Sequence, residues 1–320
     1  MKLLIVCQAL DKNHPILGFF HRWVEEFAKN ADSVIVFASS VGEQSLPSNV
    51  RVYSLGKDEG RGSITRALRL LSFSYVHRKK YDAVFVHMIP EFVLVNGFLW
   101  RMLRKKICLW YTHKHVGLRL WLAEKLVHYA LTASKASFRL PSKKLQVLGH
   151  GIDVDVFSPS PNVQREGYVL SVGRLMKSKR HDLAIQAAKE SRRKLHIIGD
   201  GKERMNLEQL VKKIGADVSF RGSLPQEALV AEYRKAHALI HTSETGSLDK
   251  VVLEALACGC PVVTTDMALE GMPLVVSGEK PDEIASIISA IDRTRYKDMH
   301  AYVATHHSLQ KLVVKIRGIF

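Results

Sequence analysis

The chain has 320 residues, of which 47% are hydrophobic, and this is enough material for two ordinary domains with buried cores. Its 47 Lys and Arg residues against 31 Asp and Glu residues give a net charge of +16, which favours an anionic partner: nucleic acid, an acidic membrane face or a phosphorylated substrate. The longest apolar runs, such as residues 92–100, are too short to span a bilayer. The first residues run directly into a strand pattern, which is not typical of a signal peptide.

The cysteine content excludes a disulfide framework. The four cysteines, Cys7, Cys108, Cys258 and Cys260, are few, and their neighbours in sequence are largely apolar. We interpret them as small buried residues of a protein from a reducing compartment. We therefore expect a cytoplasmic location, with peripheral attachment to the inner membrane face as an extension of it.

Short β-branched runs alternate with amphipathic helical segments along the whole chain. The runs that predict strands lie at residues 3–7, 33–37, 50–53, 83–87, 107–111, 130–133 and 145–148, and then at 168–172, 194–198, 218–221, 238–241, 261–264 and 273–276. Helical segments such as 19–30 and 225–236 lie between most of them. This alternation predicts an α/β protein in which helices cover both faces of parallel sheets.

The predicted strands are too numerous for one such sheet. The chain is richest in turn residues at 155–162, so we place a domain boundary there. We expect two doubly wound, Rossmann-like domains, 1–157 and 158–300, facing across a cleft. A basic helical segment, 301–320, would pack back on the first domain or lie at a membrane face. Ligands of this architecture bind beyond the carboxyl ends of the strands.

The stretch from Ser243 to Val263 is the most informative part of the chain. It predicts a polar turn around Gly246, followed by a short helix in which Glu254 is surrounded in sequence by apolar residues. A glycine then ends the helix, and a strand follows. A turn of small residues lets the backbone approach a ligand, and the amino end of a helix favours an anion such as phosphate. One interpretation is a simple connection in which Glu254 has a structural partner. The other is a nucleotide-sugar site with the turn on the phosphates and the carboxylate on a ribose.

Several motifs resemble those of retaining glycosyltransferases of family 4. Residues 173–179 resemble the family's Gly-Arg-Leu-x-x-x-Lys motif, and residues 197–201 resemble its next strand end. Residues 218–222 resemble its nucleobase loop, and residues 149–157 resemble its interdomain signature, with histidine at position 150 where asparagine is usual. The Ser243–Val263 stretch resembles the Glu-x7-Glu segment. The resemblance covers most of residues 145–265 and is looser in the first domain.

The resemblance implies the GT-B fold and a metal-independent transfer of a sugar, with retention of configuration, from a UDP- or GDP-sugar. It implies no cofactor beyond this substrate. The donor would bind mostly to the second domain and a glycan, envelope or lipid-linked acceptor to the first. Asp153 and Asp155 match an Asp-x-Asp metal motif formally, but they lie in the interdomain signature, and we expect no metal.

Three residues are expected to be catalytic by resemblance. Arg174 and Lys179, on a loop expected to be exposed, would stabilise the charge that develops on the leaving diphosphate. His113, which follows a predicted strand, would contact the sugar near the reacting centre. The alternatives are solvated loop cations and a histidine satisfied by packing.

The resemblance also implies a set of donor-binding residues. The backbone around Leu248 to Lys250 would contact the sugar and diphosphate, Glu254 the ribose, the backbone near Arg221 the base, and Gly18 the phosphate or the acceptor. The full set is Gly18, Arg221, Glu244, Gly246, Ser247, Leu248, Asp249, Lys250 and Glu254. Counting back eight residues from Glu254 gives glycine rather than glutamate, and the nearest glutamate is Glu244. This departure concerns the contacts to the donor sugar.

Two other functions remain open at this stage. One is a basic nucleic-acid-binding protein, although no compact recognition motif is present and we expect no nucleic acid. The other is a GT-B-like protein that binds its ligand without turnover, which the missing glutamate would allow. An anionic membrane surface is a further expected partner, through the basic helical segments predicted at 64–81 and 98–106.

Overall fold

The computed structural model describes residues 1–14, 16–246, 248–266, 269, 272, 275–291 and 296–320, the last range without the side chains of its first two residues. The chain forms two compact units, one of Met1–Gly151 with Leu309–Phe320 and the other of Ile152–Ser308. The first boundary lies six residues before the one predicted from the turn-rich stretch. The segment predicted as 301–320 is divided between the units.

The first unit contains a parallel sheet, which among the described residues has seven strands in the order β3-β2-β1-β4-β5-β6-β7. The strands are β1 Lys2–Leu10, β2 Ser33–Val41, β3 Val50–Ser54, β4 Ala83–His87, β5 Lys106–Trp110, β6 Tyr129–Thr132 and β7 Leu145–Val147. The helices are α1 Phe19–Lys29, α2 Ser63–Val76, α3 Pro90–Met102, α4 Leu118–Leu126 and the terminal α11 Leu309–Ile319, with a 3-10 turn at Lys135–Ser137.

Helices cover both faces of this sheet, which explains why its central strands are continuous apolar runs. On one face α1 and α11 bury Trp23, Phe27 and Leu312 against strand residues such as Phe85. On the other face α2, α3 and α4 bury large side chains, among them Trp100. Burial of each such side chain stabilises the fold by roughly 1.5–3 kcal/mol.

The second unit repeats the plan with a parallel sheet whose described strands have the order β10-β9-β8-β11-β12-β13. The strands are β8 Val169–Val172, β9 Leu195–Ile198, β10 Val218–Gly222, β11 Leu239–His241, β12 Val262–Thr264 and β13 Val275–Ser277. The helices are α5 His181–Glu190, α6 Arg204–Ile214, α7 Gln226–Lys235, α8 Lys250–Ala257, α9 Pro281–Ala290 and α10 Tyr296–His306, with a 3-10 turn at Lys177–Lys179. The first two residues of the strand predicted at 273–276 lie outside the described residues.

The two parallel sheets confirm the predicted α/β class. Two predicted helices have wrong bounds. The helix predicted at 64–81 corresponds to α2, which ends at Val76. The helix predicted at 98–106 corresponds to the last part of α3, which begins at Pro90 and ends at Met102. Pro90 stands at the first position of α3, where its missing N–H costs nothing, and Lys106 already belongs to β5. No helix within the described ranges has the length and apolar character that a membrane span requires.

Candidate active site

The candidate site lies at the carboxyl end of the second unit's sheet. Its parts are the loop after β8 (173–180), the turn after β9 (199–201), the loop after β11 (242–249) and the start of α8. Parallel neighbouring strands end at the same edge of a sheet, so these segments adjoin one another. Most of the predicted site residues belong to these segments, whereas Gly18 and His113 belong to the first unit.

The first two of these segments pack backbone against backbone. A Cβ atom on Gly199 would lie 2.0 Å from the carbonyl oxygen of Gly173, and a Cβ atom on Gly201 would lie 2.3 Å from that of Leu175. The amide of Leu175 donates a hydrogen bond to the Asp200 carbonyl at 2.9 Å. Only glycines permit this approach, which fixes the turn that carries Arg174. Arg174 is exposed, as predicted.

Lys179 is not exposed, so that part of the prediction is wrong. Its Nζ lies 2.5 Å from Asp249 Oδ2 and 3.2 Å from Ser243 Oγ, and only 16% of its side chain is accessible. The reason is the anchoring of one loop on the other. The Thr242 hydroxyl lies 2.9 Å from the Lys179 carbonyl oxygen and 2.7 Å from that of Arg180, which draws the two loops together.

Asp249 is the centre of a small polar network. His241 Nε2 lies 2.9 Å from Asp249 Oδ2, and His241 Nδ1 lies 3.0 Å from Thr264 Oγ1. Burial alone would raise the pKa of the Asp249 carboxyl, but the hydrogen bond from His241 and the charge of Lys179 hold that pKa well below its usual range. The carboxylate is therefore ionised throughout the physiological pH range, and it orients the Lys179 side chain.

The amino end of α8 lies directly beside this network. Asp249 is the N-cap residue, but no side-chain capping bond is formed at this helix end within the described residues, and the Asp249 carboxylate is engaged by Lys179 and His241 instead. The Val252 amide donates to the Asp249 carbonyl at 3.2 Å, and the positive end of the helix dipole favours an anionic ligand at this point. Gly246 takes φ +57°, a left-handed conformation that favours glycine. Ser247, also predicted at this turn, lies outside the described residues.

Glu254 has partners within its own unit. It lies one helical turn after Lys250, and the two charges interact. Burial raises the pKa of Glu254, and the positive charge of Lys250 opposes this increase. Burial lowers the pKa of Lys250. The Tyr233 hydroxyl donates to Glu254 Oε2 at 3.4 Å. These contacts match the interpretation in which the carboxylate has a structural partner, and they leave the ribose contact as a proposal.

Glu244 lies two residues before the glycine turn and is exposed. Its Oε1 accepts a hydrogen bond from Arg180 Nη1 at 2.7 Å, and its amide donates to the Ser178 carbonyl at 2.9 Å. Arg180 takes φ +48°, which is strained for a residue with a side chain. Both residues line a cavity of about 340 Å³ that also reaches Gly246 and Asp266.

The side chains of two other predicted residues have partners within the second unit. Arg221 Nη2 lies 3.3 Å from Glu232 Oε1, and Glu232 also faces His196 Nδ1 at 2.9 Å, so the Arg221 side chain is engaged. The Leu248 side chain is 7% exposed and belongs to the hydrophobic core. Both findings agree with the backbone roles that the resemblance implies.

The first unit supplies Gly18 and His113. A Cβ atom on Gly18 would lie 2.8 Å from the carbonyl oxygens of both Lys12 and His14, so this turn before α1 requires glycine. His113 lies on an exposed loop, and its Nδ1 accepts the amide of His115 at 3.1 Å. A neutral His113 ring in this geometry carries its proton on Nε2.

Sequence reasoning missed the residues that hold Lys179 and Arg174. His241 is the last residue of β11 and Thr242 follows it directly, and polar residues at the carboxyl end of a parallel strand are a usable signal. His181 Nδ1 lies 2.8 Å from Ser171 Oγ, and its Nε2 lies 3.4 Å from the Arg174 carbonyl. Burial lowers the pKa of His181 to about 4, so it is a neutral support for the Arg174 turn.

Part of the second unit matches a known protein family. Residues 155–289, which include all the loops described above, match the family model of glycosyl transferases group 1. This part of the second unit is similar to group 1 glycosyl transferases.

Individual curated proteins are similar to part of the chain. The chain is 32% identical over 182 residues to a D-inositol 3-phosphate glycosyltransferase of Frankia alni, a match that covers 48% of this chain and 43% of the relative. It is 31% identical over 179 residues to a GDP-mannose-dependent alpha-(1-6)-phosphatidylinositol monomannoside mannosyltransferase of Mycolicibacterium smegmatis, covering 46% and 47%. The chain thus spans less than half the length of these curated relatives.

Solved structures resemble both units. The Anabaena Alr3699/HepE structure in complex with UDP has a TM-score of 0.77 at 16% identity and covers 100% of this chain and 99% of its own. WaaG, a glycosyltransferase involved in lipopolysaccharide biosynthesis, has a TM-score of 0.66 at 17% identity and covers 99% of each chain. At these identities the likeness shows the fold, which is the predicted GT-B fold.

Proposed function

We propose that this protein is a retaining, family 4 glycosyltransferase that moves a sugar from a UDP- or GDP-sugar to an acceptor, without a metal or other cofactor. The observation that carries the proposal is the Lys179–Asp249 pair at the amino end of α8, within the part of the chain that is similar to group 1 glycosyl transferases. A fixed cation beside the positive end of a helix suits a diphosphate leaving group.

The donor's diphosphate would bind to Lys179, to the first amides of α8 and to Arg174. An ammonium has three N–H donors, and among the described residues Asp249 and Ser243 accept from Lys179. One donor is left for a phosphate oxygen. Arg174, being exposed, can turn its two-pronged guanidinium to the same group.

The reaction follows from this placement of charge. The bond between the anomeric carbon and the diphosphate oxygen breaks, and negative charge develops on that oxygen. The acceptor hydroxyl attacks on the same face of the sugar, and its proton passes to the departing diphosphate oxygen. Each preorganised donor on that oxygen contributes on the order of 10² to 10³ in rate. His113, protonated on Nε2 when neutral, would donate to a sugar hydroxyl near the reacting centre.

The nucleoside would be recognised by Glu254 and by the backbone near Arg221. An ionised Glu254 can accept from two vicinal ribose hydroxyls, and the neighbouring Lys250 charge favours that ionised form. We keep both uracil and guanine as candidate bases of the donor because the similar proteins differ in this respect. HepE was solved with UDP, and the Mycolicibacterium relative is named GDP-mannose-dependent.

The acceptor would bind to the first unit, and an acceptor with an apolar portion fits best. A cavity of about 510 Å³ in this unit is walled by apolar side chains such as Leu70 and Phe92, with Lys57 and Arg66 as cations on its lining. That combination suits a lipid-linked acceptor with an anionic group better than a free glycan. The relatives named above act on inositol phosphate and phosphatidylinositol mannoside acceptors.

A panel of nucleotide sugars tests the proposal. Thermal shifts of the whole chain are measured with UDP-glucose, UDP-galactose, UDP-N-acetylglucosamine, GDP-mannose and the free nucleotides, with and without EDTA. We expect one donor to raise Tm in both conditions, because a bound ligand stabilises the folded state. NMR of the product then gives the anomeric configuration. An inverted product, or binding that EDTA abolishes, contradicts the proposed mechanism.

A second candidate is a GT-B protein that binds the donor without turnover. The observation that favours it is Gly246 with φ +57° at the position where the family pattern has a glutamate. Donor hydrolysis and transfer assays on the same preparation separate the two: a clear thermal shift with neither activity supports the binding protein.

A further inference from the structure

The outer surface of α2, α3 and α4 is rich in exposed apolar side chains. Of sixteen exposed large apolar residues in the described part of the chain, nine lie on these three helices. Six of them are Tyr75 (54% exposed) and Val76 (63%) at the carboxyl end of α2, Phe98 (71%) and Met102 (67%) in the carboxyl half of α3, and Trp121 (46%) and Leu122 (40%) in the middle of α4. The inner sides of the same helices fill the core, so these side chains point away from the sheet.

The carboxyl ends of the three helices meet at one edge of the sheet. Each helix connects parallel strands and therefore runs against them, so all three end where the strands begin. The contacts bear this out. Arg101 Nη1 donates to the Leu126 carbonyl at 3.0 Å, and Lys105 Nζ donates to the Tyr81 carbonyl at 2.5 Å. Since α3 packs against both α2 and α4, the six apolar side chains belong to one layer of neighbouring helices.

Positive charge is concentrated in the same segment. Residues 61–125 contain 13 Lys and Arg against 3 Asp and Glu, a net charge of +10 out of +16 for the whole chain. Seven of these cations follow α2 and α3 directly, at 78–80 and 101–106. The Arg78 guanidinium lies 4.2 Å from the centre of the Tyr75 ring, and Lys125 Nζ lies 5.4 Å from that of Trp121. Cations and aromatic rings are therefore interleaved.

We propose that this surface docks on an anionic lipid bilayer. We define the docking face as the six apolar side chains above with the cations of residues 78–80 and 101–106. Phe98 and Met102 would enter the headgroup region, the Trp121 and Tyr75 rings would lie at the interface, and the cations would contact anionic headgroups. Each cation near such a surface strengthens binding by about fivefold.

Charge decides between a bilayer and other occupants. A second copy of the chain would bring the same positive segment against itself, which is unfavourable. An aqueous protein partner does not require aromatic rings between cations, whereas the boundary between water and hydrocarbon does. The docking face lies within the first unit and does not depend on the proposed activity.

Vesicle co-sedimentation of the full chain tests the docking face. Vesicles of pure phosphatidylcholine and of phosphatidylcholine with 30% phosphatidylglycerol are compared at about 0.1 M and 0.5 M salt. We expect binding to the anionic vesicles only, weakened at high salt. The Arg78→Gln/Lys79→Gln/Lys80→Gln variant should bind about a hundredfold more weakly, since three cations are removed. The Phe98→Ser/Met102→Ser variant should lose at least tenfold.

Matched controls keep the outcome decisive. Val314→Ser removes an exposed apolar side chain from α11, on the other face of the sheet, and Lys212→Gln/Lys213→Gln removes cations from α6 of the other unit. Both should bind as the wild type does, and circular dichroism with Tm checks that every variant is folded. Equal binding to both vesicle types, no binding to either, or equal losses in the controls would overturn the proposal. So would a dimer in light scattering that Phe98→Ser/Met102→Ser abolishes.

Discussion

The Lys179 ammonium lies 2.5 Å from the Asp249 carboxylate at the amino end of α8. This pair joins two loops that are 70 residues apart in the sequence. It means that the cation expected to meet the diphosphate is already oriented before a donor binds. The pair accordingly has a structural role as well as a proposed catalytic one, and the two roles can be separated by substitution.

Lys179→Met should lower turnover by about 10²–10³-fold, since it removes a cation from the leaving group. It should also lower the free energy of unfolding by roughly 1–3 kcal/mol, because Asp249 loses one of its partners. Steady-state kinetics and urea unfolding measure the two effects. Lys177→Met, an exposed lysine of the same loop, is the control and should change neither. Normal turnover in Lys179→Met would remove Lys179 from the mechanism.

Arg174→Ala should lower turnover by a similar factor of about 10²–10³ without a measurable loss of stability, because the side chain is exposed. Lys213→Ala, on the exposed side of α6, gives the background effect of removing one surface cation. An Arg174→Ala variant that is as active as Lys213→Ala would show that Arg174 is only a solvated cation.

Asp249→Asn tests the network through its pH dependence. The pKa of Asp249 is held well below its usual value, so the ionised form stabilises the fold above about pH 4, the unfolded pKa. That stabilisation is lost as the pH falls toward the folded pKa. We expect the variant to be less stable by roughly 1–3 kcal/mol at pH 7 and the difference to shrink at pH 3. A difference that is independent of pH would contradict the ion pair.

His181→Asn tests the neutral support of the Arg174 turn. The pKa of His181 is lowered to about 4 by burial, so the unfolded chain takes up its proton near pH 6.5, before the folded chain does. The wild type should therefore lose stability between pH 6.5 and 4, and the variant should lose less over that range. Parallel slopes in urea unfolding at several pH values would mean that this histidine is not buried in neutral form.

Glu254→Gln should raise KM for the donor by about tenfold and change kcat less, because a ribose contact is present before and during reaction. Tyr233→Phe, which removes the hydroxyl that donates to Glu254, is the structural comparison. If Tyr233→Phe alone reproduced the whole effect while Glu254→Gln bound donor normally, the carboxylate would have a structural role only.

The sequence predicted the two doubly wound sheets because buried parallel strands are continuous apolar runs, and such runs mark the central strands of both sheets in the described part of the chain, for example β4 and β9. It predicted the site's loops because they follow those strands. It could not predict that Lys179 is buried, since its partner lies at position 249 and the anchoring hydroxyl at 242. It also treated Glu254 as isolated, although Lys250 lies one turn away on the same helix. Side-chain partners across loops depend on tertiary contacts that local pattern does not contain.

The central claim is that Lys179 and the amino end of α8 bind a diphosphate. Isothermal titration of wild type and Lys179→Met with UDP, GDP and the matching nucleosides tests it most directly. The account predicts that the preferred nucleoside diphosphate binds the variant at least tenfold more weakly, and that the nucleoside binds both proteins equally. Equal affinity of the diphosphate for both proteins would contradict it.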